Sequence, residues 1–190
     1  MLMCLPRMLG YVFNPVSIYF CYNKHDCLNA ILYEVNNTLG LINVLKAAAD
    51  VKVRRFIYSA SSSVYGPTDN LPSKESDPIN PISPYANQKY YGELCCRMFY
   101  EVYGIETVSL RYFNVYGERQ CLGGSYATVL GIFLDQLQND KPLTINGDGN
   151  QRRDFTYVGD VVKANILASL SKKVGGGEVI NIGSGINISI

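Results

Sequence analysis

The sequence predicts an α/β fold in which a parallel sheet carries helices on both faces and is preceded by a β-hairpin. From residue 39 onward, short apolar segments alternate with longer segments of helical periodicity. Stretches containing glycine and proline separate these segments. The first 35 residues instead hold two runs of β-forming residues. Strands that alternate with helices are typical of a parallel sheet covered on both sides.

The composition limits the class of protein. At 190 residues, with 47% apolar and 17% charged residues, the chain is long enough for one domain with a core. A net charge of +1 argues against nucleic-acid binding, and the interrupted apolar run near residues 8–22 argues against a membrane span. Six cysteines without CxxC spacing and one histidine predict no metal site and reduced thiols, as in a cytoplasmic protein.

The elements are predicted in order along the chain. The hairpin comprises residues 16–22 and 28–35, joined by a polar turn at 23–26. Helical periodicity and capping residues predict helices at 39–49, 85–103, 125–138 and 160–170. Runs of β-forming residues predict strands at 53–60, 107–113, 143–145, 154–157 and 179–182.

Three segments lie at the carboxyl ends of predicted strands, at 59–63, 112–116 and 183–185. Ligands of open parallel sheets bind at the carboxyl ends of the strands. We therefore expect a functional site where these three segments meet.

The second long helix begins with a capping motif, because Ser83 is a good N-cap and Pro84 suits the first turn. On this helix Tyr85 and Lys89 are four residues apart and share a face, where Gly92 allows close packing. An ammonium beside a phenol lowers the pKa of the phenol by stabilising the phenolate. Such a phenol is suited to general-base catalysis, with a serine hydroxyl to hold the substrate oxygen.

Five motifs occur in a fixed order: SASSSVYG, SPYANQK, LRYFNVYGERQ, INGDGNQRRDFTYVGDVVKANILA and VINIGSG. Together they resemble the motifs of extended short-chain dehydrogenases/reductases, and most closely the NAD-dependent nucleotide-sugar epimerase/dehydratase family. The resemblance runs from about Asn36 to the end. It implies a partial Rossmann-like, doubly wound parallel sheet that lacks its first half.

The first 35 residues lie outside this resemblance. Their pattern, LGYVFNPxSxYFCY…EVNNT, resembles a fragment of an uncharacterised bacterial family. We therefore expect two units, a hairpin segment of unrelated origin at 1–35 and an incomplete epimerase/dehydratase domain at 36–190.

The resemblance implies a catalytic triad of Ser61, Tyr85 and Lys89. In the family, the tyrosine takes the proton of the sugar C4 hydroxyl while hydride passes to NAD, and the serine steadies the forming carbonyl. The lysine tunes the tyrosine and holds the nicotinamide ribose. The structural alternative for Ser61 is a hydroxyl that satisfies the backbone at the strand end.

The neighbouring serines bear on the reaction type. Dehydratases and decarboxylases of the family carry acidic residues at positions 62 and 63, because elimination needs an additional acid and base. Ser62 and Ser63 offer only hydroxyls to the substrate. The resemblance therefore implies a 4-epimerase acting on a UDP-hexose, UDP-hexuronate or UDP-N-acetylhexosamine, with a dehydratase or decarboxylase as the alternative enzyme.

The remaining site residues also follow from the resemblance. Asn114 matches a residue that contacts the nucleotide-sugar diphosphate, and Arg153 matches the phosphate-binding arginine, for which a surface salt bridge with Asp154 or Asp160 is the alternative. Tyr112 matches a wall of the nicotinamide pocket. Asn37 matches a residue near the cofactor, although it is an equally good helix cap.

One feature of the family is missing from the sequence. The glycine-rich turn GxxGxxG that receives the NAD pyrophosphate does not occur, which makes NAD binding by this chain doubtful. Two alternatives to an epimerase therefore stay open. The first is a catalytically incompetent remnant. The second is an interaction module that pairs through helices 39–49 and 85–103, which match the family's dimer surface.

Overall fold

The structure, a computed structural model, describes residues 2–3, 17–22, 28–34, 38–120 and 128–189, with the backbone alone for 2–3, 17–22, 28–34 and 38. The strands are β1 (Leu2–Met3), β2 (Ser17–Tyr22), β3 (Leu28–Glu34), β4 (Arg55–Ser61), β5 (Glu106–Tyr112), β6 (Asn114–Tyr116), β7 (Arg152–Tyr157), β8 (Gly176–Ile182) and β9 (Asn187–Ser189). The helices are α1 (Thr38–Asp50), α2 (Pro84–Tyr103), α3 (Val129–Gln138) and α4 (Val158–Leu170), with a short 3-10 helix at Ser62–Tyr65.

The larger sheet has six strands in the order β1-β2-β3-β4-β5-β8. The last four run parallel, whereas β1, β2 and β3 pair antiparallel. The antiparallel pairing of β2 with β3 confirms the predicted hairpin. Its second strand also pairs in parallel with β4, so the hairpin is continuous with the parallel sheet.

Helices cover both faces of this sheet, as predicted. On one face, α1 and α2 pack on alternate residues of β4 through a cluster that includes Leu45, Phe56, Tyr58 and Cys96, all at most 1% exposed. On the other face, Ala168 of α4 joins a second buried cluster. Successive residues of β4 therefore pack alternately into the two clusters, one on each face of the sheet. Because both faces are buried, the apolar run of this strand is nearly continuous.

A smaller sheet, β6-β7-β9, lies beside the carboxyl ends of the larger one. Two of its strands have three residues and were not predicted, because such short segments carry little pattern. The strand predicted at 143–145 is wrong: this segment is irregular, and the Thr144 amide donates to the Gln136 side chain at 3.0 Å. The β-forming residues Leu143 and Ile145 are half exposed there.

Candidate functional site

Ser61 is the last residue of β4 and caps the 3-10 helix that follows. Its Oγ accepts hydrogen bonds from the Ser63 amide at 3.2 Å and from Ser63 Oγ at 2.9 Å. The expected structural role of satisfying the backbone is therefore present. Because Oγ is the acceptor in both bonds, the Ser61 hydroxyl hydrogen remains to be donated elsewhere.

The start of α2 has the predicted cap. Ser83 is extended and its side chain accepts from the Ala86 amide at 3.1 Å, with Pro84 as the first helical residue. At the other end, Gly104 adopts φ 68° and closes the helix, as glycine does at this position. This geometry places Tyr85, 44% exposed, in the first turn of the helix.

Lys89 lies one turn further along α2 and is only 3% exposed. Its Nζ donates to the Ser59 carbonyl at 2.8 Å and lies 5.7 Å from the ring centroid of Tyr85. The same ammonium lies 5.5 Å from the ring centroid of Tyr58. These distances are within the range of cation–π attraction. The lysine thus joins the phenol of Tyr85 to a strand end two residues before Ser61.

Gly92 supports this arrangement from the next turn of α2. A Cβ at this position would lie 2.3 Å from the ring of Tyr58. The group that packs closely against Gly92 is therefore the buried ring of Tyr58, from β4. Burial raises the pKa of this Tyr58 phenol, so it stays neutral at ordinary pH.

The site straddles the carboxyl edge of the sheet. Ser61 pairs in register with Tyr112, and both continue rows of side chains on the face that α4 covers. The Tyr112 hydroxyl donates to Asn165 Oδ1 at 3.0 Å and is 3.4 Å from Ser59 Oγ. Tyr85 and Lys89 come from α2 on the opposite face. The side chains of Ser61, Tyr85 and Lys89 can therefore come together only beyond the carboxyl ends of the strands.

Asn114 and Arg153 lie in a neighbouring cavity of about 560 Å³. Asn114 Nδ2 donates to the Asp154 carbonyl at 3.0 Å, and Arg153 Nη1 donates to the Arg152 carbonyl at 2.8 Å. The rest of the cavity wall comes from β6, from α3 and from the segments around residues 144–146 and 151–155. The cavity therefore combines one cation, an apolar floor and four side-chain amides, those of Asn114, Gln136, Asn146 and Gln151.

The alternative ion pair of Arg153 with Asp154 is not formed. The Asp154 carboxylate accepts from the Ser184 amide, the Ser184 hydroxyl and the Gly185 amide, at 2.8–2.9 Å. Asp154 thereby holds the loop after β8, and Arg153 is left exposed toward the cavity.

Part of this wall was not predicted from the sequence. Residues Val129 and Phe133 of α3, together with Thr144–Asn146, line the cavity. The pattern at 143–145 predicts a strand, whereas in the structure Ile145 of this segment lines the cavity. Asn37 lies outside the described residues, so its predicted place near a cofactor stays a prediction.

Two negative findings concern the part of the chain that the structure describes. No helix there combines the length and hydropathy that crossing a membrane requires. Nor do three or more His, Cys, Asp or Glu side chains come together there as metal ligands.

A doubly wound parallel sheet with a serine, a tyrosine and a lysine at its carboxyl edge defines a Rossmann-like α/β protein of the short-chain dehydrogenase/reductase class. The model of the NAD dependent epimerase/dehydratase family matches residues 14–183, and the chain belongs to this family. The match includes most of the hairpin segment.

Similar proteins agree with this assignment. A putative UDP-glucose 4-epimerase of Methanocaldococcus jannaschii is 44% identical over 155 residues, which are 81% of this chain and 49% of the relative. A UDP-N-acetylglucosamine 4-epimerase from Methanobrevibacter ruminantium M1, in complex with UDP-N-acetylmuramic acid, superposes with a TM-score of 0.78 at 41% identity, covering 82% of this chain and 49% of that one. A UDP-glucuronic acid 4-epimerase from Bacillus cereus, in complex with UDP-glucuronic acid and NAD, superposes with a TM-score of 0.74 at 39% identity. This match covers 82% of this chain and 48% of that one.

The chain thus spans about half the length of the curated relatives it matches. The residues present fit only one end of NAD. Tyr85, Lys89 and Tyr112 would offer hydroxyls and an ammonium to a nicotinamide ribose, whereas residues 35–37, between β3 and α1, include no glycine that could receive a pyrophosphate.

Proposed function

We propose that this chain carries the reaction centre of a nucleotide-sugar 4-epimerase whose substrate is a UDP-hexose, UDP-hexuronate or UDP-N-acetylhexosamine. The observation that supports it most is the burial of Lys89, with Nζ 2.8 Å from the Ser59 carbonyl and 5.7 Å from the Tyr85 ring. A buried ammonium costs free energy unless it is paired. Its place between the strand end and the phenol is explained by a catalytic role.

In the proposed reaction, the Tyr85 phenolate takes the proton of the C4 hydroxyl. Lys89 stabilises the negative charge of that phenolate. The Ser61 hydroxyl, oriented by its two bonds from Ser63, donates its hydrogen to the C4 oxygen. The chemistry that NAD supplies when bound is reversible hydride transfer at C4.

The nucleotide would lie in the cavity that contains Asn114 and Arg153. A guanidinium suits a diphosphate because its forked donors match two phosphate oxygens. The half-exposed apolar residues of α3 would then face the base and ribose. Arg153 Nη1 donates to the backbone carbonyl of Arg152, which leaves the other guanidinium N–H groups to bind an anion.

Ser62 and Ser63 favour epimerisation over dehydration within this proposal. Neither side chain titrates near neutral pH, and Ser63 is already bonded to Ser61. Elimination of water needs a second acid and base near the sugar, which these two positions lack.

The proposal is tested by incubating the purified chain with NAD and each of the three UDP-sugar types, and by measuring the C4 epimer by chromatography. We expect product with the wild type and none with Tyr85→Phe. Tyr91→Phe is the matched control, because Tyr91 lies on the same helix and is also 44% exposed. Equal activity of the wild type and Tyr85→Phe would contradict the assignment.

A non-catalytic remnant is the second candidate, favoured by the missing glycine-rich turn. It predicts that acid-denatured protein releases no NAD and that added NAD does not raise the melting temperature. It also predicts that UDP still binds, since the Asn114 and Arg153 cavity does not depend on that turn. Calorimetric titration with UDP separates the two halves of the site.

A third candidate is an interaction module. Along α2, the side chains of Tyr91, Leu94, Met98 and Val102 are 44–68% exposed and follow one another at helical spacing. Pairing of α1 and α2 with a second copy would cover them. Size-exclusion chromatography tests this role, and strictly monomeric elution at high concentration would contradict it.

A further inference from the structure

Two oppositely charged side chains are buried behind the proposed reaction centre. Glu93 of α2 is 4% exposed and Arg111 of β5 is 3% exposed. They form a bidentate pair, with Arg111 Nε and Nη2 donating to the two Glu93 oxygens at 2.8 and 2.7 Å. Burial raises the pKa of the Glu93 carboxyl, and the hydrogen bonds and charge of Arg111 oppose that rise.

A buried ion pair of this kind adds little to the free energy of unfolding. Well-packed apolar residues of similar volume are often at least as stable as a buried ion pair. A bidentate pair does fix the orientation of both planar groups. The geometry that this pair imposes is therefore the property to explain.

The remaining arginine nitrogen extends the pair across the sheet. Arg111 Nη1 donates to the Tyr65 hydroxyl at 2.8 Å, and the guanidinium lies 4.8 Å from the centroid of the Tyr65 ring. The Tyr65 hydroxyl donates in turn to Asn181 Oδ1 of β8 at 2.7 Å. Asn181 then holds the loop after the 3-10 helix, through the Ser73 carbonyl at 3.0 Å.

Both ends of this network lead to the candidate triad. Tyr65 is the last residue of the 3-10 helix that Ser61 caps. Glu93 is one turn beyond Lys89 and two turns beyond Tyr85 on α2. The network thus joins the strand end that carries Ser61 to the helix that carries Tyr85 and Lys89.

We propose that the Glu93–Arg111–Tyr65 network is the positioning device of the reaction centre, and that Tyr65 sets where Ser61 stands relative to Tyr85. The proposal rests on the proposed function. Tyr65 acts through its bonds to Arg111 and Asn181 and need not touch the substrate. Since Ser61 and Tyr85 come from opposite faces of the sheet, their separation depends on such a connection.

The test variant is Tyr65→Phe, which keeps the buried ring and removes the hydroxyl shared by Arg111 and Asn181. Thr107→Val is the matched control. It also removes a buried hydroxyl between β5 and α2, the bond from Thr107 to the Cys96 carbonyl at 2.8 Å, but at the opposite end of β5. Comparing the two variants separates loss of a buried hydrogen bond from loss of position.

With turnover as the readout, we expect Tyr65→Phe to lower kcat by about 10- to 100-fold with KM for the UDP-sugar unchanged, because misplacement affects the reacting atoms more than the nucleotide. Thr107→Val should lower the melting temperature to a similar extent and leave kcat unchanged. An unchanged kcat in Tyr65→Phe, or an equal loss in both variants, would overturn the proposal.

Saturation-transfer NMR with UDP-glucose gives a second readout that needs no turnover. In the wild type, saturation should reach both the uridine and the hexose protons. In Tyr65→Phe and in Arg111→Lys, hexose saturation should fall while uridine saturation stays. Equal patterns in all variants would overturn the positioning role alone. No saturation of either group in the wild type would remove the proposed function, and this inference with it.

Discussion

The two cations of the proposed site are held in opposite ways. Lys89 is buried, with its ammonium bonded to the Ser59 carbonyl and within 6 Å of two tyrosine rings. Arg153 is exposed at a cavity wall and is bonded to the carbonyl of its neighbour. The reaction end of the proposed site is therefore fixed by packing, whereas the proposed nucleotide end can adapt to its ligand.

The substitution with the largest expected effect is Lys89→Met. Loss of the ammonium should reduce epimerase activity by about 10²- to 10⁴-fold, the range of a general-base contribution. The melting temperature should stay the same or rise, because a buried charge is replaced by an apolar chain of similar size. Activity assays and thermal unfolding measure both. Lys46→Met, an exposed lysine of α1, is the control and should lose no activity. A full-activity Lys89→Met protein would contradict the role of the buried ammonium.

Arg153→Ala tests the adaptable end. We expect UDP binding to weaken by about 1.5–3 kcal/mol, the value of hydrogen bonds to a charged group, without a change in melting temperature. Isothermal titration calorimetry measures the affinity. Arg119→Ala is the matched control, since Arg119 is also an exposed arginine but does not line the cavity. Equal affinities of the two variants would show that the diphosphate binds elsewhere.

Gly92→Ala tests the packing beneath Lys89. The added Cβ would lie 2.3 Å from the ring of Tyr58, which is 1% exposed and cannot move aside. We expect a loss of about 1–3 kcal/mol in the free energy of unfolding, the usual cost of overpacking. Chemical denaturation measures it. In the Tyr58→Leu background the cost of Gly92→Ala should shrink, and additive effects would contradict the contact.

The smallest effect concerns alkaline pH. Burial raises the pKa values of the Tyr58 phenol and the Cys96 thiol above their ordinary values of 10.0 and 9.0. The unfolded chain therefore loses these protons first, and stability falls as pH rises above about 9, by about 1.4 kcal/mol per pH unit for each fully contributing group. Unfolding measured between about pH 8 and pH 10.5 should show a shallower fall in Tyr58→Phe than in the wild type. Parallel curves would exclude this contribution.

The sequence predicted features whose causes are local. Ser83, Pro84 and Gly104 mark the ends of α2 because capping depends on a few neighbouring residues. The hairpin and the doubly wound sheet followed from periodicity and order. The segment at 143–145 has strand propensity, but its backbone bonds to a side chain of α3. Local propensity cannot anticipate such a tertiary contact.

The contacts that hold the site were not predictable in the same way. Lys89 meets a carbonyl 30 residues earlier in the chain, and Arg111 meets Glu93 18 residues earlier. A signal for the second pair exists, since both charges occupy positions at which the helical and strand patterns point inward. Pairing them required the three-dimensional register of α2 on β5. The roles of Ser61, Tyr85, Asn114 and Arg153 remain predictions, and so does the division of the chain at residue 35.

The decisive measurement is a crystal structure of the chain with bound UDP-glucose. We expect the hexose C4 oxygen to lie within hydrogen-bond distance of both Ser61 Oγ and the Tyr85 hydroxyl, with the uridine in the cavity of Asn114 and Arg153. A hexose that is ordered away from these two hydroxyls, or a Ser61 and Tyr85 that open into separate cavities, would contradict it.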